Sequence, residues 1–185
     1  MEKLNKHAAE VITAMLKNNG ILYISCGVPG SGKSTFLKEI INPNEVIISR
    51  DEIRFSILKP GEDYFSHEKE VYNTFLKNIK QSIQNGNNTY ADATHLNEKS
   101  RFLLLSQLKN MGCNPTEVNA IYFDVPLLTC LERNETRKGT PAYVPKGQIR
   151  RMFAQYNPPM YYEGFSNIWE VNSEGDVEFI ERRHE

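Results

Sequence analysis

Short runs rich in apolar and β-branched residues recur along the chain at 21–26, 46–49, 89–92, 118–123 and, more weakly, 168–171. Turn-forming Gly, Pro or Asn residues flank them, so each reads as a buried strand. Between the runs the spacing is helical. Val71, Phe75, Ile79 and Ile83 mark one face of a helix over 64–84, ended by Gly86. Further helices are predicted to about residue 41, over 97–111 with Gly112 as its C′ residue, over 126–138 with a proline near its first position, and over 146–156 before Pro158-Pro159. Leu4, Val11, Ile12, Met15 and Leu16 also recur at helical spacing, with Gly20 as a stop, which predicts an amphipathic helix packed on the domain. Its polar face is not strongly basic, which disfavours a membrane-surface role. The charged stretch 172–185 is left open, partial disorder being one reading.

This alternation predicts an α/β fold: a mostly parallel sheet of about four to five strands with helices on both faces. In such sheets ligands gather at the carboxyl ends of the strands. At 185 residues, with 39% apolar and 24% charged, the chain has the size and balance of one domain with a core of its own. A net charge of −1 supplies no global field for nucleic acid, so any polynucleotide contact would use a local patch. No apolar run reaches membrane-spanning length and no signal-peptide core precedes the first strand, so no membrane partner is expected. Cys26, Cys113 and Cys130 are scattered without metal-type spacing and read as free thiols of a reducing, cytoplasmic compartment. Nothing in the pattern fixes an oligomeric state.

The chemistry concentrates after the first strand, in Gly27-Val28-Pro29-Gly30-Ser31-Gly32-Lys33-Ser34-Thr35. Strand, G-x-x-x-x-G-K-S, helix is the context of a phosphate-binding loop. Glycines let successive N–H groups point into one concavity, and the new helix turns its positive end to the same anion. Lys33 adds a mobile charge for the outer phosphates, and Ser34 offers a hydroxyl to Mg²⁺. ATP and Mg²⁺ are therefore the expected cofactors.

Three further groups follow later strands. Asp51 could accept the proton of an attacking hydroxyl, or simply cap the helix that begins there. Arg54, three residues on, shares its face and suits a phosphate or carboxylate on an acceptor. Asp92 closes the third strand, where a carboxylate serves a metal or an acceptor, or else only forms a turn. His95 reads as polar lining or loop structure rather than a base. Arg133 and Arg137 lie four apart on one helix face, before a loop and a second basic helix carrying Lys146, Arg150 and Arg151. This segment is a solvated basic face or, given the phosphate loop, a lid over about 133–151 that stabilises migrating charge and excludes water.

Together, G-x-P-G-S-G-K-S-T at 27–35, R-D-x-x-R at 50–54, D-x-x-x-L-N at 92–97, F-D-V-P at 123–126 and the R-N-x-x-R lid starting at Arg133 resemble the 5′-kinase domain of the polynucleotide kinase family, in its T4-phage type. The resemblance implies that Asp51 is the general base on a 5′-hydroxyl and that Arg54 clamps the acceptor's 3′-side phosphate. It gives Arg137 the donor phosphates, Arg133 the adenine and Asp92 the place of an active-site carboxylate. The substrate implied is single-stranded or end-exposed DNA or RNA bearing a 5′-hydroxyl. Lys138 is inserted where the family pattern runs Arg-Gly, His95 replaces an amide, and no D-x-D-G-T phosphatase motif occurs. A kinase of the same superfamily acting on a nucleoside, sugar or antibiotic is the alternative. A non-catalytic nucleotide-binding module comes third, and the absence of N-K-x-D argues against a guanine-nucleotide switch.

Overall fold

The computed structural model describes residues 19–182. The helix expected within 1–20 falls on residues 1–18, outside the described residues. The remaining elements alternate: β1 (Leu22–Cys26), α1 (Lys33–Ile40), β2 (Glu45–Ser49), α2 (Arg50–Ile57), α3 (Glu68–Gln84), β3 (Asn88–Asp92), α4 (Glu98–Asn110), β4 (Val118–Phe123), α5 (Leu127–Glu135), α6 (Lys146–Ala154), β5 (Asn167–Val171) and β6 (Val177–Phe179).

The strands form one sheet in the order β2-β3-β1-β4-β5-β6. All pairs are parallel except β5–β6. The two-residue side-chain period of each strand divides the core into two layers. Leu22, Ile24, Cys26, Ala120 and Ile168 pack with Phe75 and Ile79 of α3 and Leu104 and Leu108 of α4. Ile121, Phe123 and Val171 point the other way, toward Leu37 of α1, Leu131 of α5 and Ile149 of α6. Helices thus cover both faces, as the alternation predicts. The chain leaves β1 for β2 and β3 on one side and returns to β4 on the other, which opens a crevice at the carboxyl end of β1.

Several boundaries differ from those the sequence predicts. The sheet has six strands rather than four to five, because β6 returns antiparallel out of the charged stretch 172–185. Asn172 makes that hairpin: its side-chain Oδ1 accepts from the amides of Glu174 and Asp176, and Gly175 takes a left-handed φ of 91°. The helix expected over 64–84 starts only at Glu68, because Asp63 ties the preceding residues into a turn through the amides of Phe65 and Ser66. The helix expected over 126–138 ends at Glu135. Its last turn carries the buried Asn134, whose side chain donates to Val144 O at 2.8 Å and accepts from Val144 N at 3.0 Å, fastening the returning loop. The helix expected to reach 156 stops at Ala154.

Candidate functional site

The phosphate loop is shaped by backbone that a side chain could not follow. Gly30 and Gly32 take φ of 85° and 97°. A Cβ on Gly30 would sit 2.2 Å from the carbonyl oxygen of Cys130, so the loop packs directly on the start of α5. Gly32 is the N-cap of α1, and no side chain caps that helix. By contrast, Ser49 accepts from Glu52 N at the start of α2, and Asn97 forms a capping box with Ser100 at the start of α4. The open N–H groups of α1 and its dipole therefore face the crevice. Lys33 is buried, and its Nζ donates to Val28 O at 2.9 Å. Burial lowers its pKa, an effect that Asp92 and Asp51 oppose.

Parallel pairing of β1, β3 and β2 brings three strand ends to one level. Ser49 is the register partner of Asp92, which sets the first turn of α2 beside the end of β3. Asp92 is buried and accepts from Ser34 Oγ at 2.7 Å and from Ser25 Oγ at 3.4 Å. It thus accepts from the loop hydroxyl rather than forming a turn. A hydroxyl and a carboxylate side by side at a phosphate cradle fit Mg²⁺, which takes one or two protein oxygens and fills its remaining positions with phosphate and water.

Asp51 is not the helix cap, since Ser49 holds that position; it lies in the first turn of α2. Its side chain is 62% exposed, and Oδ1 accepts from Tyr64 Oη at 2.7 Å and from Arg54. Among the described residues nothing donates to Oδ2. Burial and the neighbouring Asp51 push the Tyr64 phenol well up, so it stays a donor to that carboxylate.

Arg54 lines the same cavity but is itself buried, 4% exposed. Its guanidinium lies over the Tyr64 ring, 4.3 Å from the centroid, and donates to Asp51, to Tyr64 Oη at 2.7 Å and to Glu68 Oε2 at 2.8 Å. Of the five N–H groups a guanidinium carries, those three bonds leave two uncommitted, one of them the buried Nε. Arg50 joins Glu68 from the preceding turn of the helix and packs over Tyr72. Burial works to raise the Glu68 carboxyl, but Arg54 and Arg50 outweigh it and hold the group below its ordinary range. Tyr64, Glu68 and Arg50 are the participants that motif reading missed. Arg50 stood inside the R-D-x-x-R run, whereas Tyr64 and Glu68 carry no sequence signal beyond a position shortly after it.

The basic segment after α5 divides by register. Arg137 lines the cavity beside Gly32, Lys33 and Ser34, while Lys138 is exposed next to Glu135. Arg133 lies on a second hollow, formed with Thr35, Phe36 and the β5–β6 turn, and donates to Ser173 O at 2.6 Å and Ser31 O at 3.4 Å. His95 sits behind the site, buried, with φ of 38° and Nδ1 2.8 Å from Ser25 O. Burial drives its pKa down to about 4, so it is neutral lining.

Among solved structures, a chain of the Pnkp1/Rnl/Hen1 RNA repair complex is 25% identical with a TM-score of 0.61, over 75% of this chain and 44% of that one. This chain therefore spans less than half of that protein's length. A sugar kinase from Janibacter sp. HTCC2649 is 15% identical (TM-score 0.59), over 84% of this chain and 86% of that one. A deoxyadenosine kinase from M. mycoides is 16% identical (TM-score 0.52), over 84% and 92%. These neighbours share the P-loop kinase-like fold. Residues 22–159 match the AAA domain family, from the first strand past α6, and the chain belongs to that family.

Proposed function

We propose that this protein is a kinase that transfers the γ-phosphoryl group of ATP to the 5′-hydroxyl of a DNA or RNA end. The observation that carries the reading is the exposed Asp51 carboxylate, its Oδ1 held by Tyr64 and Arg54 and its Oδ2 uncommitted, across one cavity from Lys33 and Ser34. Residues 27–35 form the donor side. Lys33 and Arg137 hold the donor's outer phosphates, and Arg133 borders the hollow suited to its base. Ser34 and Asp92 would hold Mg²⁺, which supplies charge neutralisation on the transferring group. Asp51 Oδ2 takes the proton of the acceptor hydroxyl as that oxygen bonds to the γ-phosphorus. The bond from phosphorus to the β–γ bridging oxygen breaks, and ADP departs with that oxygen. Arg54 offers its one remaining terminal N–H to the acceptor's neighbouring phosphate. The segment 133–151 closes as a lid, within a single domain.

The partial commitment of Arg54 to Glu68, Asp51 and Tyr64 favours a second reading, an acceptor without a phosphate, such as a nucleoside, sugar or antibiotic. Arg54→Ala separates the two. Its kcat/KM should fall steeply on a 3′-phosphorylated nucleotide acceptor if the first reading holds, and should drop equally on acceptors with and without that phosphate if the second does.

A further inference from the structure

Phe65 is a large apolar side chain that the core does not use. It is 53% exposed, yet it lines the cavity that holds Asp51, Arg54 and Asp92. Isolated exposed apolar residues are ordinary on any protein surface. This one belongs to a row. The Tyr64 ring meets Phe65 edge to face at 4.9 Å and Phe55 at 6.3 Å, while Arg54 covers a face of Tyr64. The turn that presents it is tied down: Asp63 Oδ1 accepts from Phe65 N at 2.9 Å, and Phe65 O accepts from Glu68 N at 3.3 Å. Tyr64 hydrogen-bonds Asp51, so the exposed ring sits next in the chain to the side chain that holds Asp51.

From this juxtaposition we infer that Phe65 is the stacking platform for the acceptor's nucleobase. The inference rests on the kinase reading above and narrows it. The acceptor carries a flat heteroaromatic base next to its hydroxyl, which a sugar lacks. An aromatic face binds any base by stacking and excludes none, so base identity at the acceptor end should matter little. The base comes either from a polynucleotide end or from a free nucleoside.

Two measurements on the full chain test this. In the first, Phe65→Ala is compared with wild type on a 5′-hydroxyl oligonucleotide and on the same oligonucleotide with an abasic 5′-terminal residue. The variant should raise KM roughly tenfold on the intact end, with kcat little changed, and leave KM on the abasic end unaltered. Equal effects on both ends, or none on the intact one, would overturn the platform. The second follows the tryptophan emission of Phe65→Trp, titrated without ATP. Trp169, the other tryptophan, is corrected for with the unsubstituted protein. Saturable quenching by the oligonucleotide and not by its abasic form supports a polynucleotide end. Quenching by nucleoside alone keeps the platform but assigns it the free nucleoside. No base-dependent quenching rejects the platform even if kinase activity on 5′-hydroxyl ends is found. Base-dependent quenching without any phosphoryl transfer keeps it and rejects the kinase reading instead.

Discussion

Ser34 Oγ donates to Asp92 Oδ2 at 2.7 Å across 58 residues of sequence, joining the first turn of α1 to the end of β3. Strand register makes the contact. Ile24 pairs with Ala91, so the loop after β1 and the carboxylate ending β3 emerge at one height. If the pair is the metal cradle, chelation with EDTA abolishes turnover and Asp92→Asn shifts the Mg²⁺ titration. The concentration for half-maximal turnover should rise roughly tenfold or more, since charged contacts are worth a few kcal/mol. Ser34→Thr keeps a hydroxyl and should stay near wild type, whereas Ser34→Ala should follow Asp92→Asn. A Mg²⁺ titration unchanged in Asp92→Asn would refute the assignment.

Glu68 holds two arginines at once, so its removal leaves two neighbouring cations to repel each other. Glu68→Gln should destabilise the fold by about 1–3 kcal/mol, between the limits for exposed and buried pairs. On the proposed reading, in which Arg54 borders the acceptor side, it should also raise the acceptor KM more than the ATP KM. Urea unfolding and separate KM determinations check both parts, and equal rises in the two KM values would argue against this division of the site.

Arg101 is a structural counterpart to Arg54. It is 1% exposed, makes a bidentate pair with Glu163 at 2.7 Å, and donates to the carbonyls of His95, Asn157 and Pro158. Arg101→Ala strands the Glu163 carboxylate inside the protein and should cost about 3–5 kcal/mol in denaturant unfolding. Arg101→Met with Glu163→Met should recover much of that loss. A loss below 1 kcal/mol for Arg101→Ala would show that the pair contributes little.

His95 makes stability depend on pH. Burial chiefly, with Arg50, Lys33 and Arg101 adding repulsion, holds its folded pKa at about 4, below the ordinary value of 6.5. Between these values the unfolded chain binds more protons, so stability rises with pH through that window and is complete above it. Acidification from pH 7 toward pH 4 should therefore remove on the order of 3 kcal/mol through this residue. His95→Asn tolerates the positive φ and should flatten the profile across pH 4.5–6.5. Parallel profiles for the two proteins would contradict this.

The phosphate loop was legible in the sequence because its physics is local. Strand, glycines, Lys33 and Ser34 follow one another directly, and the cradle needs only their backbone. Asp51, Asp92, Arg133 and Arg137 could be singled out because strand ends and helix faces are readable from periodicity. What the sequence withheld was pairing across the fold. Nothing in the run 50–54 indicates that Arg54 is held by Tyr64 and Glu68, since that depends on where α3 lands. The sixth strand was hidden for another reason: three residues with a charge between Val177 and Phe179 give too little period. The Asn172–Gly175 turn was its one local signal. Nor does the sequence tell which of Arg137 and Lys138 faces the cavity; that follows from where α5 ends.

In the proposed reaction Asp51 activates a polynucleotide 5′-hydroxyl opposite the phosphate loop. The most direct measurement incubates wild type and Asp51→Asn with γ-labelled ATP, Mg²⁺ and a 5′-hydroxyl oligonucleotide, with nucleoside and sugar acceptors in parallel. Label should appear on the oligonucleotide 5′ end with wild type. It should fall about 10²–10⁴-fold with Asp51→Asn while ATP binding is retained. Transfer to the small acceptors alone would rule out the polynucleotide substrate, and label undiminished in Asp51→Asn would rule out Asp51 as the base.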